Sequence, residues 1–172
     1  MLGKPLLGSR VWDVLRTLDV LAALPEVDAR RIGIMGGSGG GAVTLFAAAL
    51  EPRLRAVVIS NYLSTFKDSI LAMAHCHCNY VPGLLQDAEM YDVAALIAPR
   101  PLLVAAGTDD PIFPLPAVLE GFEHLRGAYQ ALGAPDRLEK NVFAAGHQMA
   151  GARAYDFLRH WLNDAPDARP TA

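Results

Sequence analysis

A serine lies inside a glycine-rich turn between two apolar segments. Gly36-Gly37-Ser38-Gly39-Gly40 follows a predicted strand over 31–35 and precedes a predicted helix over 42–50. A serine at such a sharp strand-to-helix turn exposes its hydroxyl at the carboxyl end of a sheet. The N–H groups that open the helix can stabilise an oxyanion. The pattern therefore predicts a nucleophilic Ser38 with the N–H of Gly39 as one oxyanion donor.

A phosphate-binding turn is the alternative interpretation of the same glycines. Glycine-rich turns between a strand and a helix also bind nucleotides. However, no lysine follows as in a P-loop, and the G-x-G-x-x-G pattern is matched only loosely from Gly37 onward. We therefore favour the nucleophile over a nucleotide-binding unit.

A serine nucleophile needs a base, and the base needs a group that orients it. Asp109 and Asp110 follow an apolar strand predicted over 101–106, and His147 follows a strand predicted over 138–143. We favour Asp110 as the acid because it lies three residues after Gly107, although both aspartates could simply form a turn before proline. The order serine, acid, histidine predicts a catalytic triad of Ser38, Asp110 and His147.

Predicted helices separate the predicted strands. Helical patterns cover 9–24, with Ser9 as its cap, then 115–132 and 148–163, with short candidates around 66–74 and 93–97. A further strand is predicted over 56–60. Strands that alternate with helices indicate a parallel sheet covered on both faces. We predict one domain over 1–163, a three-layer α/β/α sandwich with about four strands, and a frayed tail over 164–172.

These residues and elements together resemble the α/β-hydrolase superfamily, and within it the dienelactone hydrolase and acetyl xylan esterase-like branch. The resemblance runs from about Gly8 to Leu162 and is carried by four stretches: 27–33, 98–103, 109–114 and 146–147. It implies a serine hydrolase that cleaves small carboxylic esters and needs no cofactor or metal. Dienelactone hydrolases proper carry cysteine at the elbow, so Ser38 favours an esterase.

The chain matches only the carboxyl half of that fold. A complete member has about eight strands with the elbow after the fifth, whereas this elbow follows the first predicted strand. We therefore expect a homodimer or higher oligomer that covers the Arg31–Met35 edge. The second oxyanion donor is left open among a partner subunit, Gly37, Gly40, Asn61 and Tyr62. A weak or inactive half-hydrolase that serves as a binding or oligomerisation module is the alternative function.

A second cluster, His75-Cys76-His77-Cys78, contains four residue types that bind zinc or copper. In an extended segment only alternate residues share a face, and no second ligand pair is evident, so no metal site is predicted. We interpret the segment as a pocket wall, with a packed loop holding free thiols as the alternative. The predicted substrate-binding residues are Gly37, Asn61, Tyr62, Phe66, Tyr80, Ile112 and Phe113.

Composition narrows the classes of function. The 172 residues are 52% hydrophobic and 19% charged, with a formal net charge of -3. This composition excludes a disordered chain and argues against nucleic acid as a partner. No apolar run reaches the ~18 residues of a membrane span. Two cysteines too close for an ordinary disulfide, and no secretory signal at the start, predict a cytoplasmic protein.

Overall fold

Four parallel strands form one sheet in the order β1-β2-β3-β4. The computed structural model describes residues 4–164, so the tail predicted to fray lies outside them except for its first residue. The strands are β1 (Ile32–Gly37), β2 (Leu54–Ser60), β3 (Leu102–Gly107) and β4 (Leu138–Phe143). Their register places Gly37 beside Ser60 and Gly107 beside Phe143, so the carboxyl ends align along one edge of the sheet. β1 lies at the end of the strand order, as predicted.

Helices cover both faces of the sheet, which confirms the predicted three layers. They are α1 (Leu6–Ala23), α2 (Gly39–Leu50), α3 (Met90–Ala95), α4 (Leu115–Ala131) and α5 (Gly151–Arg159). Helices α1 to α4 contact one another in series, whereas α5 packs against β2 and continues into a π-helical turn over His160–Asp164. Within residues 4–164, no helix combines the length and apolarity that a membrane span requires.

Alternate residues of β2 belong to two separate cores. Val57 and Ile59 join the large core under α1 to α4, while Ala56 and Val58 join a smaller core with Phe157 of α5. Successive side chains of a strand point to opposite faces, and a parallel sheet buried on both sides needs apolar residues at every position. The uninterrupted apolar runs of β2 and β3 therefore follow from their central place in the sheet.

Several predicted boundaries are corrected by local backbone geometry. α1 begins at Leu6 with Pro5 at its N-cap, so the predicted cap at Ser9 is wrong; proline suits a helix start because it has no N–H to leave unpaired. α2 begins at Gly39 rather than Ala42, directly after the sharp turn at Ser38. The last helix begins at Gly151 rather than Gln148.

The segment between β2 and α3 is irregular, and the helix expected around 66–74 does not form. Thr65 and Asp68 hydrogen-bond each other through side chain and backbone, and the Ser69 hydroxyl donates to the Thr65 carbonyl. Such local bonds compete with helical ones. The short helix predicted at 93–97 instead begins at Met90, because Glu89 and Asp92 form a reciprocal capping box there.

Arg100 organises the amino end of the sheet. Its guanidinium donates to four backbone carbonyls: that of Ile97 at 3.1 Å, and those of Ala48, Glu51 and Leu54 at 2.6 to 2.9 Å. The carbonyls of Ala48, Glu51 and Leu54 lie at the end of α2 and the start of β2, where the last turn of the helix leaves carbonyls without an intrahelical donor. The Tyr129 hydroxyl on α4 donates to the carbonyl of Arg100 at 2.6 Å. Arg100 thus joins α2 and β2 through its guanidinium, and α4 through its backbone carbonyl.

Candidate active site

Ser38 occupies a strained turn between β1 and α2. Its backbone has φ 53° and ψ -123°, in the left-handed half of conformational space that residues with a side chain rarely adopt. The Ser38 N–H donates to the Ser60 carbonyl at 3.0 Å, which ties the turn to the end of β2. A Cβ on Gly36 would overlap the Gly40 carbonyl, so the turn closes this tightly only with glycine. The turn presents Ser38 directly before the first N–H groups of α2.

Asp110 lies just beyond β3 and its side chain is fully buried. One carboxylate oxygen, Oδ1, accepts the backbone N–H groups of Ile112 and Phe113 at 2.9 and 3.1 Å. The other, Oδ2, accepts the Asn61 amide at 2.8 Å. Asp109 is exposed instead, and its carboxylate accepts the neighbouring Thr108 hydroxyl. Of the two aspartates, Asp110 is therefore the one in contact with the other predicted site residues.

His147 lies on the loop that follows β4, and Nδ1 is 2.8 Å from Asp110 Oδ2. The loop is held against the end of β3 by backbone bonds, including one from the Asp109 N–H to the Ala145 carbonyl at 3.0 Å. A Cβ on Gly107 would overlap the carbonyls of Ala145 and Gly146, so a glycine is required where these loops meet. The sheet register and this contact bring the acid and the histidine together.

The ionised carboxylate of Asp110 determines which ring nitrogen of His147 faces it as a donor. Burial raises the pKa of the Asp110 carboxyl, but hydrogen bonds from Asn61, His147 and two backbone N–H groups outweigh it, so the pKa lies below its usual value. An ionised carboxylate only accepts hydrogen bonds, so the neutral ring of His147 carries its proton on Nδ1. Nε2 is then free to act as a base.

Aromatic side chains pack around the histidine. The Phe113 ring stacks on His147 with centroids 5.8 Å apart and also contacts Tyr62 at 5.2 Å and His75 at 6.2 Å. Tyr62 is 1% exposed, and its hydroxyl has no hydrogen-bond partner within residues 4–164. Burial, with smaller effects from Cys78 and Cys76, raises the pKa of Tyr62, so the phenol stays neutral. Phe113 thus lies between the His147 ring and the side chains of Tyr62 and His75.

Other predicted substrate-binding residues occupy different surroundings. Phe66 is buried in the large core, with its N–H donating to the Glu89 carboxylate. Tyr80 is exposed, and its hydroxyl accepts the His75 N–H at 3.4 Å. A Cβ at Gly39 would meet no atom within 4 Å, so open space lies beside the start of α2.

The His75–Cys78 cluster forms a turn held by an amide. Asn79 Nδ2 lies 3.2 Å from the sulfur of Cys76 and 3.8 Å from that of Cys78, and both cysteines are free. Among residues 4–164, no group of three or more histidine, cysteine or acidic side chains is arranged to hold a metal ion. The segment meets the site through the contact of His75 with Phe113.

Sequence reasoning missed two residues near the site. The Ser60 hydroxyl donates to Asn61 Oδ1 at 2.8 Å, and Met149 lies against the turn, where a Cβ on Gly37 would come within 2.6 Å of its Cγ. A hydroxyl residue at the last position of a central strand is a signal that could have identified Ser60. Nothing in the sequence singles out Met149.

Comparison with known proteins identifies a protein family and solved structures that are similar to this chain. Residues 7–81 match the model of the acetyl xylan esterase (AXE1) family. A glucuronoyl esterase of carbohydrate esterase family 15 from Caldicellulosiruptor kristjansonii superposes with a TM-score of 0.74 at 20% identity, over 91% of this chain and 50% of that one. The chain has the α/β-hydrolase fold. The glucuronoyl esterase catalytic domain from Hypocrea jecorina gives a TM-score of 0.72 at 21% identity, over 91% of this chain and 51% of that one.

A relative in sequence agrees with this placement. YtaP of Bacillus subtilis (strain 168), a protein named as a hydrolase, is 32% identical over 168 residues. The match covers 93% of this chain and 56% of YtaP. The chain thus spans about half the length of the relatives it matches.

Proposed function

We propose that the chain is a serine esterase whose nucleophile is Ser38, with His147 as general base and Asp110 as the acid that orients it. The observation that carries the proposal is the 2.8 Å contact between His147 Nδ1 and the buried carboxylate of Asp110. Ser38 stands on the strained turn at the same end of the sheet. Met149, two residues after His147, packs against Gly37 of that turn, so the histidine loop runs past the nucleophile.

The reaction follows from these roles. Ser38 attacks the ester carbonyl while His147 Nε2 takes the hydroxyl proton, and the imidazolium that forms is stabilised by Asp110. His147 then returns the proton to the leaving alkoxide, and an acyl-enzyme remains on Ser38. Water, activated by the same nitrogen, hydrolyses that ester and restores the serine.

The oxyanion that forms at each step needs donors. We assign one to the N–H of Gly39, the first residue of α2, where N–H groups have no intrahelical partner and the helix dipole is positive. Gly40 N–H is our candidate for the second donor, since the backbone beside it is equally open. The Asn61 amide, one of the predicted donors, is engaged with Asp110.

The substrate class we propose is a short-chain ester, such as an acetyl group on a carbohydrate hydroxyl. The match to the acetyl xylan esterase family over residues 7–81 supports this choice. The aromatic wall of Phe113 and Tyr62 supplies apolar contacts for a small acyl group.

A fluorophosphonate probe tests the proposal because it labels only an activated serine. We expect labelling of the wild-type chain and none of Ser38→Ala, with hydrolysis of p-nitrophenyl acetate lost in the same variant. Ser9→Ala, which changes an exposed serine of α1, serves as the matched control and should behave as wild type. A folded wild-type chain that neither labels nor hydrolyses the ester would favour the alternative, an inactive binding module.

A homodimer or higher oligomer remains our proposal for the edge of the sheet. β1 lies at the end of the strand order, and an unpaired strand edge invites another chain. Light scattering at micromolar concentration tests this, and a monodisperse monomer would contradict it. The cytoplasmic location also stays a prediction, which cell fractionation can test.

A further inference from the structure

A line of side-chain hydrogen bonds crosses the ends of β2 and β3. The Ser60 hydroxyl donates to Asn61 Oδ1, and Asn61 Nδ2 donates to Asp110 Oδ2, each at 2.8 Å. The same Oδ2 receives His147 Nδ1. Hydrogen bonds thus connect four side chains, from Ser60 at the end of β2 through Asn61 and Asp110 to the ring of His147.

The chemistry of the acceptor fixes how the amide is turned. A carboxylate offers no hydrogen, so the group that faces Asp110 must be the NH₂ end of Asn61. The carbonyl end of Asn61 then points back to Ser60, whose hydroxyl hydrogen it accepts. Each donor in the line meets an acceptor, and a reversed amide would set its oxygen against the carboxylate of Asp110.

Burial and backbone conformation show that this arrangement is held rather than incidental. Ser60 and Asn61 are each 2% exposed, so water does not replace their bonds. Asn61 has φ 49°, a left-handed conformation that asparagine tolerates better than most residues but that still costs free energy. Its N–H donates to the Ala105 carbonyl at 2.8 Å, which fixes the backbone in place.

We propose that Asn61 is a positioning residue: its amide holds the Asp110 carboxylate in the orientation that receives His147, and Ser60 holds the amide. This inference rests on the proposed function of the triad. The same dipeptide also accepts the Ser38 N–H at the Ser60 carbonyl. The end of β2 therefore fixes both the nucleophile turn and the acid–base pair.

Removal of the amide tests the role directly. In Asn61→Ala the carboxylate loses one of its side-chain donors and gains freedom to rotate away from His147. Because misplacement of a catalytic group by a fraction of an ångström to 1 Å costs up to ~10²-fold, we expect kcat to fall about 10- to 100-fold with KM nearly unchanged. A loss that appears mainly in KM would overturn the proposal.

The nearly isosteric Asn61→Asp keeps the shape and changes the charge, so it covers the case in which the alanine variant fails to fold. A carboxyl this close to Asp110 shares one proton with it, and once that proton is lost the second negative charge stabilises the imidazolium of His147, so the acid limb of the kcat/KM profile moves upward by roughly one pH unit. The other titratable groups around the pair are Asp109, which is exposed, and Tyr62 and His75 against Phe113. A merely structural Asn61 would leave that limb in place.

A double-substitution experiment separates positioning from general damage. If Asn61 acts through Asp110, the rate of fluorophosphonate labelling in Asp110→Asn should not fall further when Asn61→Ala is added. Losses that multiply would show that Asn61 acts by another route. Ser60→Ala should lower kcat about 3- to 10-fold, because it loosens only the amide.

Ser69→Ala is the matched control for Ser60→Ala. Its hydroxyl is equally buried and donates within a turn of the irregular segment, so the variant should keep the wild-type kcat. Full activity and an unmoved acid limb in the Asn61 variants, with Ser38→Ala inactive, would refute the positioning role and leave the esterase standing. Full activity in Ser38→Ala would refute the esterase itself.

Discussion

The two ends of the sheet each contain a charged side chain with several hydrogen bonds, but the partners differ. At the amino end, Arg100 donates to the backbone carbonyls of α2 and β2. At the carboxyl end, Asp110 accepts from two side chains, Asn61 and His147, as well as from two backbone N–H groups. The arginine therefore fixes where elements lie, whereas the aspartate fixes how reactive groups are turned.

Backbone strain follows the same division. Among the described residues, the non-glycine positions with positive φ are Ser38 and Asn61. Ser38 directly follows β1 and Asn61 directly follows β2, so both lie at the carboxyl end of the sheet. Conformations of this kind cost about 1–3 kcal/mol each and persist where the surroundings enforce them. Among the described residues, neither of these left-handed positions lies at the amino end, which forms the framework, and the carboxyl end bears the strain of a reactive arrangement.

The largest expected effect belongs to the carboxyl end. Asp110→Asn should lower kcat/KM for p-nitrophenyl acetate by about 10³- to 10⁴-fold, because the amide favours the wrong tautomer of His147 and cannot stabilise the imidazolium. Initial rates measure this, and circular dichroism checks that the fold survives. Asp109→Asn, the exposed neighbour, should stay near wild type; the reverse pattern would make Asp109 the acid.

The amino end should show the opposite signature. Arg100→Met removes the guanidinium donor from four backbone carbonyls and should lower the free energy of unfolding by about 3 kcal/mol in urea titrations. The kcat per folded molecule should not change. Arg159→Met removes an exposed arginine paired with Asp156 and should cost about 0.5 kcal/mol or less. A large loss of kcat in Arg100→Met would erase the distinction between the two ends.

A glycine at the junction of the acid and histidine loops offers an intermediate effect. Gly107→Ala pushes its Cβ into the Ala145 and Gly146 carbonyls, so we expect a loss of about 2 kcal/mol in stability together with roughly tenfold in kcat. Thermal unfolding and steady-state rates measure both. Gly127→Ala, which places the methyl group in open space on α4, should stabilise the chain by up to about 1 kcal/mol.

The smallest effect is a pH dependence of stability. The pKa of Asp110 is lowered in the folded state, so its contribution to stability is present above the ordinary carboxyl pKa of 3.8 and is lost as the pH falls below it. The free energy of unfolding of wild type should therefore be lower at a pH below 3.8 than at neutral pH. Asp110→Asn should lose less over the same range, and parallel curves would show that another carboxyl carries the dependence.

The sequence predicted the sheet and the three triad candidates because each signal is local. Ser38, Asp110 and His147 each follow an apolar strand, and parallel strands bring their carboxyl ends to one edge. The role of Asn61 could not be predicted in this way. It depends on a positive φ at the end of β2 and on the register that places β3 beside it.

The Arg100 network was missed for a similar reason. The carbonyls of Ala48, Glu51 and Leu54 lie 46 to 52 residues away from Arg100 in sequence. Every residue has a backbone carbonyl, so no pattern of residue types identifies these three as its partners. The short helix predicted around 66–74 is wrong, because side chains such as those of Thr65 and Ser69 bond locally and compete with helical hydrogen bonds.

The strand order has a consequence for how the chain folds. Every strand pairs with its neighbour in sequence, and the connection from β2 to β3, over 61–101, is the longest of the three. Closing a longer loop costs more chain entropy before any contact compensates for it. We expect the pairing of β2 with β3 to be the slowest, so the contact between Asn61 and Asp110 forms late, after α2 has already docked on β1 and β2.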